Sequence, residues 1–240
     1  MNTVARTLSL IAVTAVSVTA CASAEGSPTD AATSQSPTAV VATDAPLDVQ
    51  VKDAIVSGDA DLVSSLIDAG FAVDTDLGGG AQAIHRAAAA DSSAVIEVLV
   101  AAGAEIDAPA AGSRTPLMMA ASSPGADAIT TLIELGADQT ATVPNDFGMY
   151  AWHYAGRHGN VEALEAFLAN GTDIDLVEAT TSTALMYAAF NGHDEAVDAL
   201  LAAGADTEIV DNGGTTAGEW ATYQGHEDIA AAIAAVGGTV

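Results

Sequence analysis

Five histidines, His85, His153, His158, His193 and His226, are the residues of this 240-residue chain best suited to acid–base chemistry near neutral pH. A histidine base needs a nucleophile and an orienting acid, and no Ser, Cys or Asp stands at a spacing that would make such partners. His158, just before Gly159, has the least evident structural duty, so a hydrolase using His158 is the one enzymatic alternative. Carboxylates abound, and Asp173-Ile174-Asp175-Leu176-Val177-Glu178 crudely suggests a calcium loop. It lacks the glycine at the sixth position and the further oxygen ligands, which leaves only weak calcium binding by clustered surface acids. There is no Cys/His cluster for zinc. Gly78-Gly79-Gly80 is not followed by Lys-Ser/Thr, so it is no phosphate loop. No catalytic residue, cofactor or metal is therefore expected.

Binding is the chemistry left, and charge restricts the partner. Asp and Glu number 32 against five Lys and Arg, a formal net charge of −27. Such a chain repels phosphate backbones, which excludes nucleic acid and favours a basic or neutral protein. Adaptation to saline surroundings would explain the acidity without any partner. Half of the residues are hydrophobic, yet 55 are alanine and aromatics make up only 4%. That composition predicts thin helices packed closely around small side chains. No apolar run reaches the roughly 18 residues of a membrane span.

The N-terminus reads as an address. Arg6 precedes the short apolar run Leu8–Val18, as in a secretory signal peptide. The run ends in Val18-Thr19-Ala20-Cys21, which resembles the lipobox of bacterial lipoproteins. That resemblance implies cleavage before Cys21, the sole cysteine, and its lipidation, with two or three acyl chains giving stable anchorage. Residues 1–20 are thus expected to be a signal peptide. Residues 21–46, rich in Ala, Ser, Thr and Pro without apolar periodicity, are expected to form a flexible tether. The protein would be exported and held at the outer side of the cytoplasmic membrane by lipid alone.

The remainder repeats itself. Leu66-Ile67-Asp68-Ala69-Gly70 returns as Leu99-Val100-Ala101-Ala102-Gly103, Leu132-Ile133-Glu134-Leu135-Gly136, Phe167-Leu168-Ala169-Asn170-Gly171 and Leu200-Leu201-Ala202-Ala203-Gly204, with a worn copy ending at Gly237. Successive glycines lie 33, 33, 35, 33 and 33 residues apart. Thr115-Pro116-Leu117-Met118-Met119-Ala120, Ile84-His85-Arg86-Ala87, Trp152-His153-Tyr154-Ala155 and Thr183-Ala184-Leu185-Met186-Tyr187-Ala188 are forms of one Thr-Pro-Leu-His-x-Ala phrase. Period and phrase together resemble the ankyrin repeat, over about residues 47–238. The resemblance implies an all-α solenoid of about six units, each a helix-turn-helix with a β-turn finger, in a domain of residues 47–240. Leu47–Asp74 reads as the N-terminal cap and Gly213–Val240 as the C-terminal one. The two additional residues of the long interval are expected to lengthen the finger around Pro144-Asn145-Asp146-Phe147.

Further roles follow from the resemblance. His85 and His153 would bond backbone of the adjoining turn, and His193 and His226 would stand in the Gly-His turn between helices. Finger residues and the ends of first helices would form a concave face that contacts partners. In the first full repeats these positions are bland, among them Gly78, Ala89, Gly112, Arg114 and Ser122. In later repeats they hold Phe147, Met149, Arg157, His158, Phe190, Asn212 and Tyr223. Aromatics and Arg dominate binding hot spots, so Phe147, Met149, Arg157, Phe190 and Tyr223 are the expected partner-binding residues. Tyr154, Tyr187 and Trp220 form a second column, expected to pack in the core. The expectation is a monomeric, noncatalytic protein-interaction module, with its partner on an acidic concave face. A more specific alternative is an inhibitor or protective binder of a basic exported enzyme or toxin.

Overall fold

The computed structural model describes residues 45–110, 112–142 and 147–237, all within a unit spanning residues 40–240. The expected signal peptide, Cys21 and nearly all of the expected tether lie outside the described residues, as do Val143–Asp146. Among the described residues there are twelve helices and no strand: α1 (Leu47–Ser57), α2 (Ala60–Asp68), α3 (Ala83–Ala89), α4 (Ser93–Ala101), α5 (Pro116–Ala121), α6 (Asp127–Glu134), α7 (Ala151–His158), α8 (Val161–Ala169), α9 (Ala184–Asn191), α10 (Asp194–Ala202), α11 (Ala217–Gln224) and α12 (Glu227–Ala235). Odd-numbered helices stack on one another in order, and even-numbered helices form a second layer over them. The result is the all-helical repeat stack that the 33-residue period implied.

Local chemistry sets each boundary. Thr115, Thr183 and Thr216 accept hydrogen bonds at their side chains from Met118, Met186 and Glu219 backbone N–H, capping α5, α9 and α11. Pro116 occupies the first position of α5, where its missing N–H is not needed. The phrase-ending glycines 70, 103, 136, 171, 204 and 237 all have left-handed φ, between 84° and 109°, and turn the chain from the second helix into the finger. The finger between α6 and α7 spans residues 135–150, against 170–183 or 203–216 elsewhere, so the two additional residues do lengthen it.

The core is as thin as the composition predicted. Ala87, Ala88, Ala120, Ala121, Ala155, Ala188 and Ala189 are all buried between inner helices. Gly156 continues this stripe: a Cβ there would lie 2.5 Å from the Ala184 carbonyl oxygen, so α7 and α9 approach to glycine distance. Larger apolar groups fill the space between layers, where Trp152 meets Phe167 edge-on at 6.1 Å.

Candidate protein-interaction face

The histidines fall into structural duties, with one exception. His85 accepts from Gln82 N–H at Nδ1 (3.2 Å), so Nε2 carries the proton and donates to the Ala108 carbonyl at 2.7 Å. His153 repeats this with Tyr150 N–H (3.3 Å) and the Leu176 carbonyl (2.9 Å), tying one finger to the next. Burial pushes both imidazoles below their ordinary pKa, His153 to about 4, against the opposing pull of those carbonyls. Both are neutral clamps. His193 lies over Gly159 and bonds the Arg157 carbonyl at 2.9 Å, and His226 lies over Gly192.

His158 is the exception. It is exposed on the end of α7, its ring stacked on Tyr154 at 6.5 Å and 9°. Partial burial lowers its pKa, aided by the positive Arg157 and Arg114 nearby. Arginines stand near this ring, where a catalytic triad would set a carboxylate to orient the base. Among the described residues no group of three His, Cys, Asp or Glu could hold a metal ion, and no helix is long and apolar enough to cross a membrane.

Most of the expected anchors stand in the open. Phe147 is 64% exposed, Phe190 38% and Tyr223 85%, and Arg157 is exposed as well. Phe147 carries a further peculiarity. Its φ is +56°, a left-handed conformation that costs a bulky side chain roughly 1–2 kcal/mol. The buried third of the residue offsets only part of that cost within the fold.

Met149 corrects the sequence reading. It is 0% exposed and belongs to the core, with its sulfur accepting a long contact from Arg157 Nη1 at 3.9 Å. It therefore supports Arg157 from beneath and offers no surface of its own. Its register equivalent one repeat later, Ser182, is 1% exposed, so the position faces inward in both repeats.

The second aromatic column does more than pack. Tyr154 is buried, but Tyr187 and Trp220 are half-buried and each reaches a finger acid nine residues earlier. Tyr187 donates to Glu178 Oε1 at 3.3 Å, and Trp220 Nε1 donates to Asp211 Oδ2 at 3.1 Å. Glu178, buried, also accepts from Thr180 N–H, the Thr180 hydroxyl and Ser182 N–H. Burial, with the Glu178 charge beside it, raises the Tyr187 hydroxyl to about 12. Trp220 meets Tyr187 edge-on at 5.8 Å and Phe190 at 5.4 Å and 68°. Phe190, Trp220 and Tyr223, with Gly214, Thr215 and Glu219, line a groove of about 440 Å³ between the α9 and α11 ends and the last finger.

Charge is divided unevenly between the two helix layers. Every even-numbered helix carries Asp or Glu and none carries Lys or Arg, while α3, α5, α7 and α9 carry no acid. Lys52, Arg86 and Arg157 sit on odd-numbered helices and Arg114 on a finger. Inter-repeat turns hold many of the other acids. There Asp107 accepts from Asp138 N–H at 3.0 Å and Asp175 from Asp206 N–H at 2.9 Å, stapling one turn to the next. The inner helices are thus poor in acid, with Asp48 and Asp53 on α1 and Glu219 on α11 as exceptions, while the fingers beside them carry acids such as Asp76, Glu178 and Asp211.

Residues 52–143 and 149–238 match the family described as ankyrin repeats (3 copies). No curated protein matches the chain. Among solved structures it is similar to the human ASB11 ankyrin repeat domain, at a TM-score of 0.68 and 23% identity, over 79% of this chain and 84% of that one. That likeness concerns the fold.

Proposed function

The chain belongs to the ankyrin-repeat family, a noncatalytic scaffold for binding other proteins, and from that premise we propose that its partner docks on fingertips and inner-helix ends of the C-terminal repeats. One observation carries the reading: in a chain with ten aromatic residues, Phe190 and Tyr223 are exposed at the same position near the ends of α9 and α11, where α7 has the exposed Arg157, and Phe147 is exposed on the finger that precedes α7. Arg157, supported by Met149, stands between them in sequence and supplies a planar cation. The acid-laden second layer repels other acidic surfaces and leaves the acid-poor face as the place of contact. Cys21 provides the tether in this proposal, with lipid on its sulfur holding the repeats at the outer side of the bacterial cytoplasmic membrane. The test is crosslinking in the native envelope, comparing wild type with a Phe147/Phe190/Tyr223 triple alanine variant. Loss of one defined adduct supports the face. An adduct that persists unchanged, in a variant with wild-type helicity, sinks it. Metabolic labelling with a fatty acid, compared between wild type and Cys21→Ala, tests the anchor.

A further inference from the structure

The groove beside Glu219 differs chemically from the rest of the face. Phe190 and Trp220 form two walls inclined at 68°, and Tyr223, 85% exposed, stands as a third. The Trp220 indole N–H is held by a carboxylate, Asp211 Oδ2 at 3.1 Å. An acceptor charge at that edge pushes electron density onto the ring, making its face more negative and a better seat for a cation. Glu219 adds a carboxylate on the lining, fixed in place by accepting from Thr216 N–H at 2.8 Å. Aromatic faces and acids around one opening, in a chain of net charge −27, complement a positive group and disfavour an anion.

We propose that this groove seats an arginine side chain of the partner protein, its guanidinium lying against Trp220, Phe190 and Tyr223 and facing Glu219. Arginine fits better than lysine because a planar, weakly hydrated guanidinium stacks on rings, whereas an ammonium keeps its water. The seat deepens the docking reading above and rests on it, giving that face a positive side chain to receive.

The probe is acetyl-Gly-Arg-Gly-amide, with citrulline and lysine versions beside it, titrated into the full-length chain. Citrulline keeps the shape of arginine without its charge. The readout is the indole N–H resonance of Trp220, separated from that of Trp152 by a Trp152→Phe variant. Saturable movement of the Trp220 signal is expected, with the citrulline peptide binding about tenfold more weakly. Tyr223→Leu, which keeps an apolar surface without a ring, should weaken binding about fivefold, and Tyr223→Phe should stay within about twofold. Glu219→Gln retains the helix cap and should cost about threefold. Because Tyr223 is so exposed, none of its variants threatens folding. Equal binding of arginine and citrulline peptides, or no loss in Tyr223→Leu, overturns the seat. Should the arginine peptide fail while the triple alanine variant loses its envelope adduct, the seat falls and the docking face stands. Should the peptide bind while the adduct persists in that variant, the docking face falls and the cation seat stands alone.

Discussion

Replacing Phe147 separates a residue kept for the fold from one kept for contact. The left-handed φ of +56° costs about 1–2 kcal/mol, which glycine would recover. Fully burying a Phe side chain is worth about 1.5–3 kcal/mol, and with 64% of the residue exposed only about a third of that, roughly 0.5–1 kcal/mol, is at stake. Glycine also loosens the unfolded chain, at a cost of about 0.5–1 kcal/mol. Phe147→Gly should therefore lie within about 1 kcal/mol of wild type. Phe147→Ala keeps the strain while losing the contact, so it should be the less stable variant by a few tenths to about 1 kcal/mol. Urea unfolding followed by circular dichroism measures both, and Tm should move by no more than about 4 °C. Both variants should lose partner crosslinking to a similar degree. A Phe147→Gly protein destabilised by more than about 2 kcal/mol, or less stable than Phe147→Ala, would show that the ring is held by the fold and would refute the contact argument.

Four more outcomes follow from packing and titration. His153, neutral when folded with a pKa of about 4 against 6.5 when unfolded, contributes on the order of 3 kcal/mol that is fully present above pH 6.5 and lost as pH falls toward 4; the wild type minus His153→Gln stability difference should shrink over that window, and a flat difference contradicts the clamp. Gly156→Ala should destabilise by about 1–3 kcal/mol in urea unfolding, because its Cβ would meet the Ala184 carbonyl at 2.5 Å, and a change below about 0.5 kcal/mol would mean α7 and α9 part easily. Trp152→Phe should come within about 1 kcal/mol of wild type by the same measurement, since the cavity it opens is offset by removing a buried indole N–H that has no partner. Asp175→Ala should cost about 0.5–1.5 kcal/mol by freeing the exposed Asp206 N–H, and amide exchange at Asp206 should quicken; unchanged exchange would show that the staple is idle.

The repeat architecture was legible because its punctuation is chemical. A phrase-ending glycine needs left-handed φ, a threonine caps, and paired alanines let helices approach, so each leaves a fixed residue type at a fixed period. Exposure of Phe147, Phe190 and Tyr223 was legible in the same way, by counting within the repeat. Met149 was misplaced because a finger's alternation, unlike a helix's period, changes over one residue, and the lengthened finger blurs the count there. The duties of Tyr187 and Trp220 escaped the sequence reading, although a signal was present. Each stands nine residues after an acid, Glu178 or Asp211, and that spacing joins a finger to the inner helix it precedes. The placement of acids was illegible from composition alone, since a net charge says nothing of which layer bears it.

That placement decides how the charge acts. Acids stand on every even-numbered helix and in the segments between repeats, while α3, α5, α7 and α9 are free of them. A partner approaching the inner helices therefore meets negative charge on the fingers and, within the helices of the last repeats, at Glu219 beside the groove. Long-range steering is screened beyond about 8 Å at physiological salt, whereas a guanidinium against Trp220 and Glu219 is partly shielded from it. Raising salt should consequently slow association strongly and change dissociation little. A stopped-flow series in which association does not slow as salt rises would refute steering by this charge.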